Sequence, residues 1–437
     1  MNRRTFLHGG TALALAGALD AWLSRPAWAE KPRTPGRHAT GPRAPASHLI
    51  VLWMNGGPSH LETWDPKPGK DGSQHRSIAT RTKGLRIAEH LPQLATLSER
   101  LTVVHGLQTR EGNHQRAQYL MHTGYAPNPT IEHPSMGAWL SRLREKSAGQ
   151  NAGAAAGTSG STNGLPAFVS LGGPSLSAGF LGVEHGPFVL PKAGALPANT
   201  TPPAGVGTAR FEGRLGFLDA AEADFAARTG DPKIADRREL YAKAVALMRS
   251  PQLAAFDVSS ETAATRTAFG DTDFGRACLT AVRLVEAGVK CIEVTLDGWD
   301  THRDVRGRTA KLMGVLDPAM SSLLRELDRR GLADDTLVLW MGDFGRTPKL
   351  NGNEGRDHHP QSSSVVLAGG GLRTGLVHGE TDATGDKVIR DAMSVPDLMA
   401  TVTTRLGLDP SESLMTPIGR PIALTDHGTP VAALLPT

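Results

Sequence analysis

The run Leu49-Ile50-Val51-Leu52-Trp53-Met54 is apolar at every position and stops at Asn55-Gly56-Gly57-Pro58. Unbroken apolarity over six residues is the pattern of a strand buried on both faces, and the Gly-Gly-Pro stop places a loop at its C-terminal end. Residues 91–97 carry helical spacing, and Leu101-Thr102-Val103-Val104 reads as the next strand. Further on, helical spacing from 274 to 287 ends at Gly288, and the strand Cys291-Ile292-Glu293-Val294-Thr295-Leu296 follows directly. A second helix, from about 311 to 329, stops at Gly331 before the strand Thr336-Leu337-Val338-Leu339-Trp340-Met341, and residues 364–368 offer one strand more. Glycine just past a helix end is the usual stop. Two successive helix–strand units predict an α/β fold: a doubly wound, mostly parallel sheet between two helical layers, α/β/α.

Other stretches lack such periodicity. Residues 1–29 order a charged start (Arg3-Arg4), a short apolar run and Ala27-Trp28-Ala29, which is the layout of a twin-arginine signal peptide. That apolar run is too short for a span of roughly 20 residues, so no stable membrane span is expected. The reading implies the twin-arginine translocase as a transient partner and a periplasmic or extracellular destination. Residues 30–47, with four prolines, read as a disordered tether. A Gly/Ala/Ser/Thr tract begins at 147 and a Gly/Pro-rich stretch ends near 215, so 147–215 is expected to be an insertion in a single domain spanning 48–437.

The net charge of +4 loses three arginines and one aspartate with the signal, leaving +2. So small an excess argues against nucleic acid as a partner. Only Cys278 and Cys291 are present, in a helical and a strand pattern, so two buried thiols are expected rather than a disulfide framework.

Three clusters of hard ligands follow the predicted strands: Asp300 with His302, Asp343, and Asp357-His358-His359. A parallel sheet gathers such loops at the C-terminal ends of its strands. Carboxylate and imidazole suit zinc, manganese or a similar divalent ion, although an aspartate at a strand end can equally cap a helix. Arg346 could fork onto an anionic oxygen or pair with Asp343. Ser59 could be a nucleophile, or only a turn or cap residue. His114 could be a ligand, a base or a nucleophile.

Together with the twin-arginine start, the segments Gly56-Gly57-Pro58-Ser59-His60 to Trp64-Asp65-Pro66-Lys67-Pro68, Trp299-Asp300-Thr301-His302, Asp343-Phe344-Gly345-Arg346-Thr347-Pro348 and Gly355-Arg356-Asp357-His358 resemble the bacterial family called domain of unknown function 1501. Members usually carry Glu where this chain has Asp343. The family is distantly similar to the alkaline phosphatase and sulfatase superfamily. That resemblance implies a sulfatase-like sheet, with Asp300, His302, Asp343, Asp357 and His358 as metal ligands and Asn55 where an acidic ligand is expected. It places the nucleophile near Asn113 or His114, where no Cys, Ser or Thr stands. The implied activity is hydrolysis of an anionic small-molecule or polymer ester, phosphate or sulfate, aided by zinc, manganese or calcium. Metal-activated water would attack, with His114 as base and Arg346 on the substrate anion. The alternative is a non-catalytic protein of that fold that binds a glycan, a surface polymer or a partner protein.

Overall fold

The computed structural model describes residues 44–151, 164–231 and 233–436. The expected signal peptide, 1–29, and most of the expected tether lie outside the described residues. His48–Met54, buried at every position, is a central strand of a nine-stranded sheet. Its neighbours are Thr336–Gly342 on one side and Cys291–Leu296 on the other, both parallel to it. Beyond Cys291–Leu296 lie Phe168–Leu171 and then Phe188–Leu190, again parallel. Beyond Thr336–Gly342 come Ser363–Gly369, Leu101–Gln108 and Leu376–His378, with Met393–Ser394 also pairing alongside Leu101–Gln108.

Ser363–Gly369 runs antiparallel to both its neighbours. The reason is the connection. Residues 343–362 form a loop with a two-residue hairpin, Gly345–Arg346 against His358–His359, and no crossover helix. Without such a crossover the chain re-enters the sheet from the end at which it left. Asp343 and His358 therefore sit at the same sheet edge.

Alternate residues of the central strand feed two cores. Ile50, Leu52 and Met54 pack with the helices Asp273–Glu286 and Val305–Arg329. Leu49, Val51 and Trp53 pack with His114–Thr123, Met136–Asn151 and Val395–Arg405. This is the three-layer arrangement that the sequence predicts. Cys278 and Cys291 are both buried free thiols. Inside the stretch 147–215, Phe168–Leu171 and Phe188–Leu190 extend the main sheet itself, so that stretch is not wholly peripheral. Two long, mostly exposed helices follow, Thr208–Thr229 and Lys233–Arg249. No helix among the described residues is long and apolar enough to cross a membrane.

Candidate metal centre

Four strand ends and one strand start deliver side chains to a single edge of the sheet. The loop after His48–Met54 is Asn55-Gly56-Gly57, with φ of +107° at Gly56 and +74° at Gly57. A Cβ on Gly56 would stand 2.4 Å from the backbone nitrogen of Asp300, so glycine is what lets the two loops touch. Asp300 follows Cys291–Leu296, Asp343 follows Thr336–Gly342, and His114 opens the helix after Leu101–Gln108, capped by Asn113. His358 stands five residues before the antiparallel strand.

Each imidazole in this cluster spends one nitrogen on an outer acceptor. His114 donates from Nδ1 to Asp343 Oδ2 at 2.5 Å, His302 from Nδ1 to Asp357 Oδ1 at 2.8 Å, and His358 from Nδ1 to the Gly112 carbonyl at 2.7 Å. These acceptors fix the tautomers, so in the neutral rings all three Nε2 atoms carry bare lone pairs. All three point the same way. Asp300 Oδ1 lies 3.5 Å from His114 Nε2, 3.1 Å from His302 Nε2 and 3.6 Å from His358 Nε2. The Nε2 atoms of His302 and His358 are 2.9 Å apart. One ligand atom each from His114, Asp300 and His358 falls within 4.8 Å of the others. Two buried atoms beside them, His114 Nε2 and Asp343 Oδ1, have no hydrogen-bond partner.

Asp343 is 1% exposed, and its bond to His114, with burial opposing, raises the imidazole above the ordinary histidine range. Burial lowers His358. At Asp300, burial acts to raise the carboxyl but is outweighed by Arg346, with help from His302 and His114, and the group is held low. Phe344 packs its ring against His114 and His358, at centroid distances of 4.9 and 4.6 Å, and forms an apolar wall beneath both.

Arg346 is fully buried. It donates to the Gly57 carbonyl at 2.9 Å, to the Arg356 carbonyl at 3.1 Å, to the Gly56 carbonyl and to Asp300 Oδ1 at 2.6 Å. A remaining N–H lies 3.5 Å from His302 Nε2. Its five donors are thus engaged within the protein, so it holds Asp300 and two loops in place and has no free fork for a substrate anion. Ser59 stands apart from the cluster. It is fully buried and donates its hydroxyl to Glu62. Asn55 is engaged elsewhere too, donating to Asp297 Oδ1 at 2.8 Å and accepting from the Trp53 indole at 3.3 Å. Asp357 also accepts from Asn351 at 3.0 Å. The cluster thus unites His114, Asp300, His302 and His358, with Asp343 and Asp357 behind the rings.

Sequence reasoning did not point to Glu62, which forms a fully buried two-pronged pair with Arg356, at 3.0 and 2.9 Å. The arginine lies in the Gly355-Arg356-Asp357-His358 motif, but its partner is 294 residues away and no spacing marks it.

The model of the family described as "Protein of unknown function (DUF1501)" matches residues 46–435. This chain belongs to the DUF1501 family. No curated protein matches it. Among solved structures, this DUF1501 chain is similar to the lipoteichoic acid synthase LtaP from Listeria monocytogenes, at 12% identity and a TM-score of 0.37 over 84% of this chain and 73% of that one. It is also similar to the PsFucS1 sulfatase from Pseudoalteromonas sp., at 13% identity and a TM-score of 0.39 over 83% and 68%. A third is the phosphonate monoester hydrolase SpPMH from Silicibacter pomeroyi, at 10% identity and a TM-score of 0.29 over 84% and 74%.

Proposed function

We propose that this chain is an exported, metal-dependent hydrolase of anionic esters, phosphate or sulfate, in which His114, Asp300, His302 and His358 hold a divalent ion. The observation that supports it is the convergence of three bare Nε2 atoms on one carboxylate oxygen. Lone pairs at such spacing repel unless a proton or a cation lies among them; a divalent ion would satisfy all three at once, and the Arg346 guanidinium reaches only one side of the group. Three nitrogens and one oxygen suit zinc or manganese, whereas calcium takes oxygen ligands. An ion there would offset the negative oxygens of an ester and bring the pKa of water toward neutrality.

The chain's own groups do the positioning. Asp343 and Asp357 fix the imidazole tautomers from behind, and Arg346 anchors Asp300. Asp300, His302 and His114 remain partly exposed, so a substrate can reach them. Among the described residues, no Ser, Thr or Cys side chain is hydrogen-bonded to His114, Asp300, His302 or His358, which favours water over an enzyme hydroxyl as the attacking group. Arg3-Arg4 and Ala27-Trp28-Ala29 support export by the twin-arginine translocase to the periplasm or beyond. The lack of a hydroxyl or thiol at the cluster also favours a second reading: binding of a glycan, surface polymer or partner protein without turnover.

The test joins metal analysis of the purified protein to a screen of phosphate, sulfate and phosphonate esters with added zinc or manganese. Metal-dependent turnover that disappears in Asp300→Ala and His358→Ala is expected. Bound metal without turnover supports the second reading, and full metal occupancy in both variants removes the metal centre altogether.

A further inference from the structure

A short hairpin outside the strand-end cluster brings together a second set of ligands. Ser77–Ala79 pairs antiparallel with Arg86–Ala88, and the pairing continues outward through the Glu89 N–H donating to the Arg76 carbonyl at 2.9 Å. His75 therefore comes opposite Glu89 and His90. The two imidazoles meet edge to face at a centroid distance of 4.7 Å. One ligand atom from each of His75, Glu89 and His90 lies within 4.8 Å of the other two.

The tautomer of His75 is fixed by its neighbour. Its Nε2 lies 2.8 Å from Thr309 Oγ1, and Thr309 gives its single hydroxyl proton to the Val305 carbonyl at 2.5 Å. The hydroxyl oxygen must then accept, so the His75 proton sits on Nε2 and the lone pair on Nδ1. A buried imidazole with one nitrogen held by an outer partner and the other bare is how metal-ligating histidines are oriented. Glu89 accepts from the Arg76 backbone N–H at 3.1 Å and from its guanidinium at 2.7 Å. Each carboxylate oxygen keeps a second lone pair. The Arg76 side chain is 89% exposed, so water can take over its half of the ion pair.

We infer that His75, Glu89 and His90 form a second metal site, which takes a divalent transition ion of the zinc type and fastens the 77–88 hairpin to the helix Val305–Arg329 through Thr309. Two imidazoles and one carboxylate are a zinc ligand set, with water in the fourth position. Tetrahedral zinc needs these donors about 3.4 Å apart, so the cluster, now within 4.8 Å, closes on the ion to complete the site. The hairpin then gains a fixed attachment to the helix whose N-terminus follows Asp300 and His302.

Cobalt(II) alone, titrated into the metal-free full chain and followed by its visible absorption, tests this. His90→Gln is expected to lower the number of bound equivalents by one, and Glu89→Gln to do the same or weaken that equivalent at least tenfold. The equivalent should persist in Asp300→Ala/His358→Ala, which separates this site from the strand-end cluster. His90 is only half-buried, and far-ultraviolet circular dichroism of the metal-free variants checks that both hairpin substitutions leave the fold intact. Unchanged stoichiometry and affinity in a folded His90→Gln or Glu89→Gln chain overturns the inference.

Discussion

Arg356 and Glu62 face each other in the interior, both 0% exposed, joined by two parallel hydrogen bonds. Arg356 also donates to the carbonyls of Thr347, Pro348, Asp71 and Gly72, so one guanidinium ties the 343–362 loop to the segment after the first strand. Arg356→Met leaves the Glu62 charge buried without its partner. A destabilisation of about 3–5 kcal/mol is expected by denaturant unfolding. Glu62→Gln/Arg356→Met should cost clearly less than the two single changes added together.

Asp343 has a different burden. Its carboxylate holds the His114 ring from behind at 2.5 Å and is almost wholly buried. Asp343→Asn keeps the shape but weakens the acceptor. Zinc affinity at the strand-end cluster should fall by roughly 10–100-fold with the circular dichroism spectrum unchanged, as outer partners of metal-bound histidines do elsewhere. An affinity equal to that of the parent chain would show that Asp343 does not orient a ligand.

Gly56 makes a steric prediction. A methyl group there meets the Asp300 backbone at 2.4 Å, in a φ that L-residues avoid. Gly56→Ala should displace the Asp300 loop and cost about 1–3 kcal/mol in unfolding experiments. Metal binding at the strand-end cluster should weaken along with it, and intact binding in a folded variant would mean that the loops need not touch.

His60 sets an acid limit on stability. Burial lowers its pKa from 6.5 to about 4, although Asp65 works in the opposite direction. Nε2 donates to the Gly385 carbonyl at 2.8 Å, and the buried Nδ1 has no partner for a second proton. The unfolded chain therefore binds a proton between pH 6.5 and 4 that the folded chain refuses. Stability is full above 6.5 and declines as pH falls through that window, by about 3 kcal/mol at the lower end. His60→Gln keeps a donor for Gly385 without the titration, so its unfolding free energy should change less with pH across the window.

The strands of the interior were readable as short, mainly apolar runs, unbroken in 49–54 and interrupted only by Glu293, Thr295 and Thr336 in the other two, and 49–54, 291–296 and 336–341 all fall within observed strands. Direction was less readable. The strand at 363–369 is as apolar as its neighbours, and only the missing crossover helix tells that it runs the other way. Thr208–Thr229 and Lys233–Arg249 escaped notice because they are mostly exposed and carry no wide apolar stripe. At the site, Asp300 and His302 were legible as polar residues after a strand end, and His358 as part of an Asp-His cluster whose place before a strand start the sequence did not reveal. The partnership of His114 with Asp343 spans 229 residues and required the fold. The saturation of Arg346, in which the Gly56, Gly57 and Arg356 carbonyls join Asp300 and His302, was beyond any motif, since it depends on loop conformation.

The return loop from 343 to 362 bears on when the metal centre can form. Asp343 and His358 are neighbours in sequence and can find the sheet edge together, but Asp300 and His114 must arrive from distant parts of the chain. The four donors, His114, Asp300, His302 and His358, meet only when both helical layers are home. Any ion they hold would then bind the finished fold and ignore partly folded forms, so its free concentration would bear directly on how long the folded chain survives.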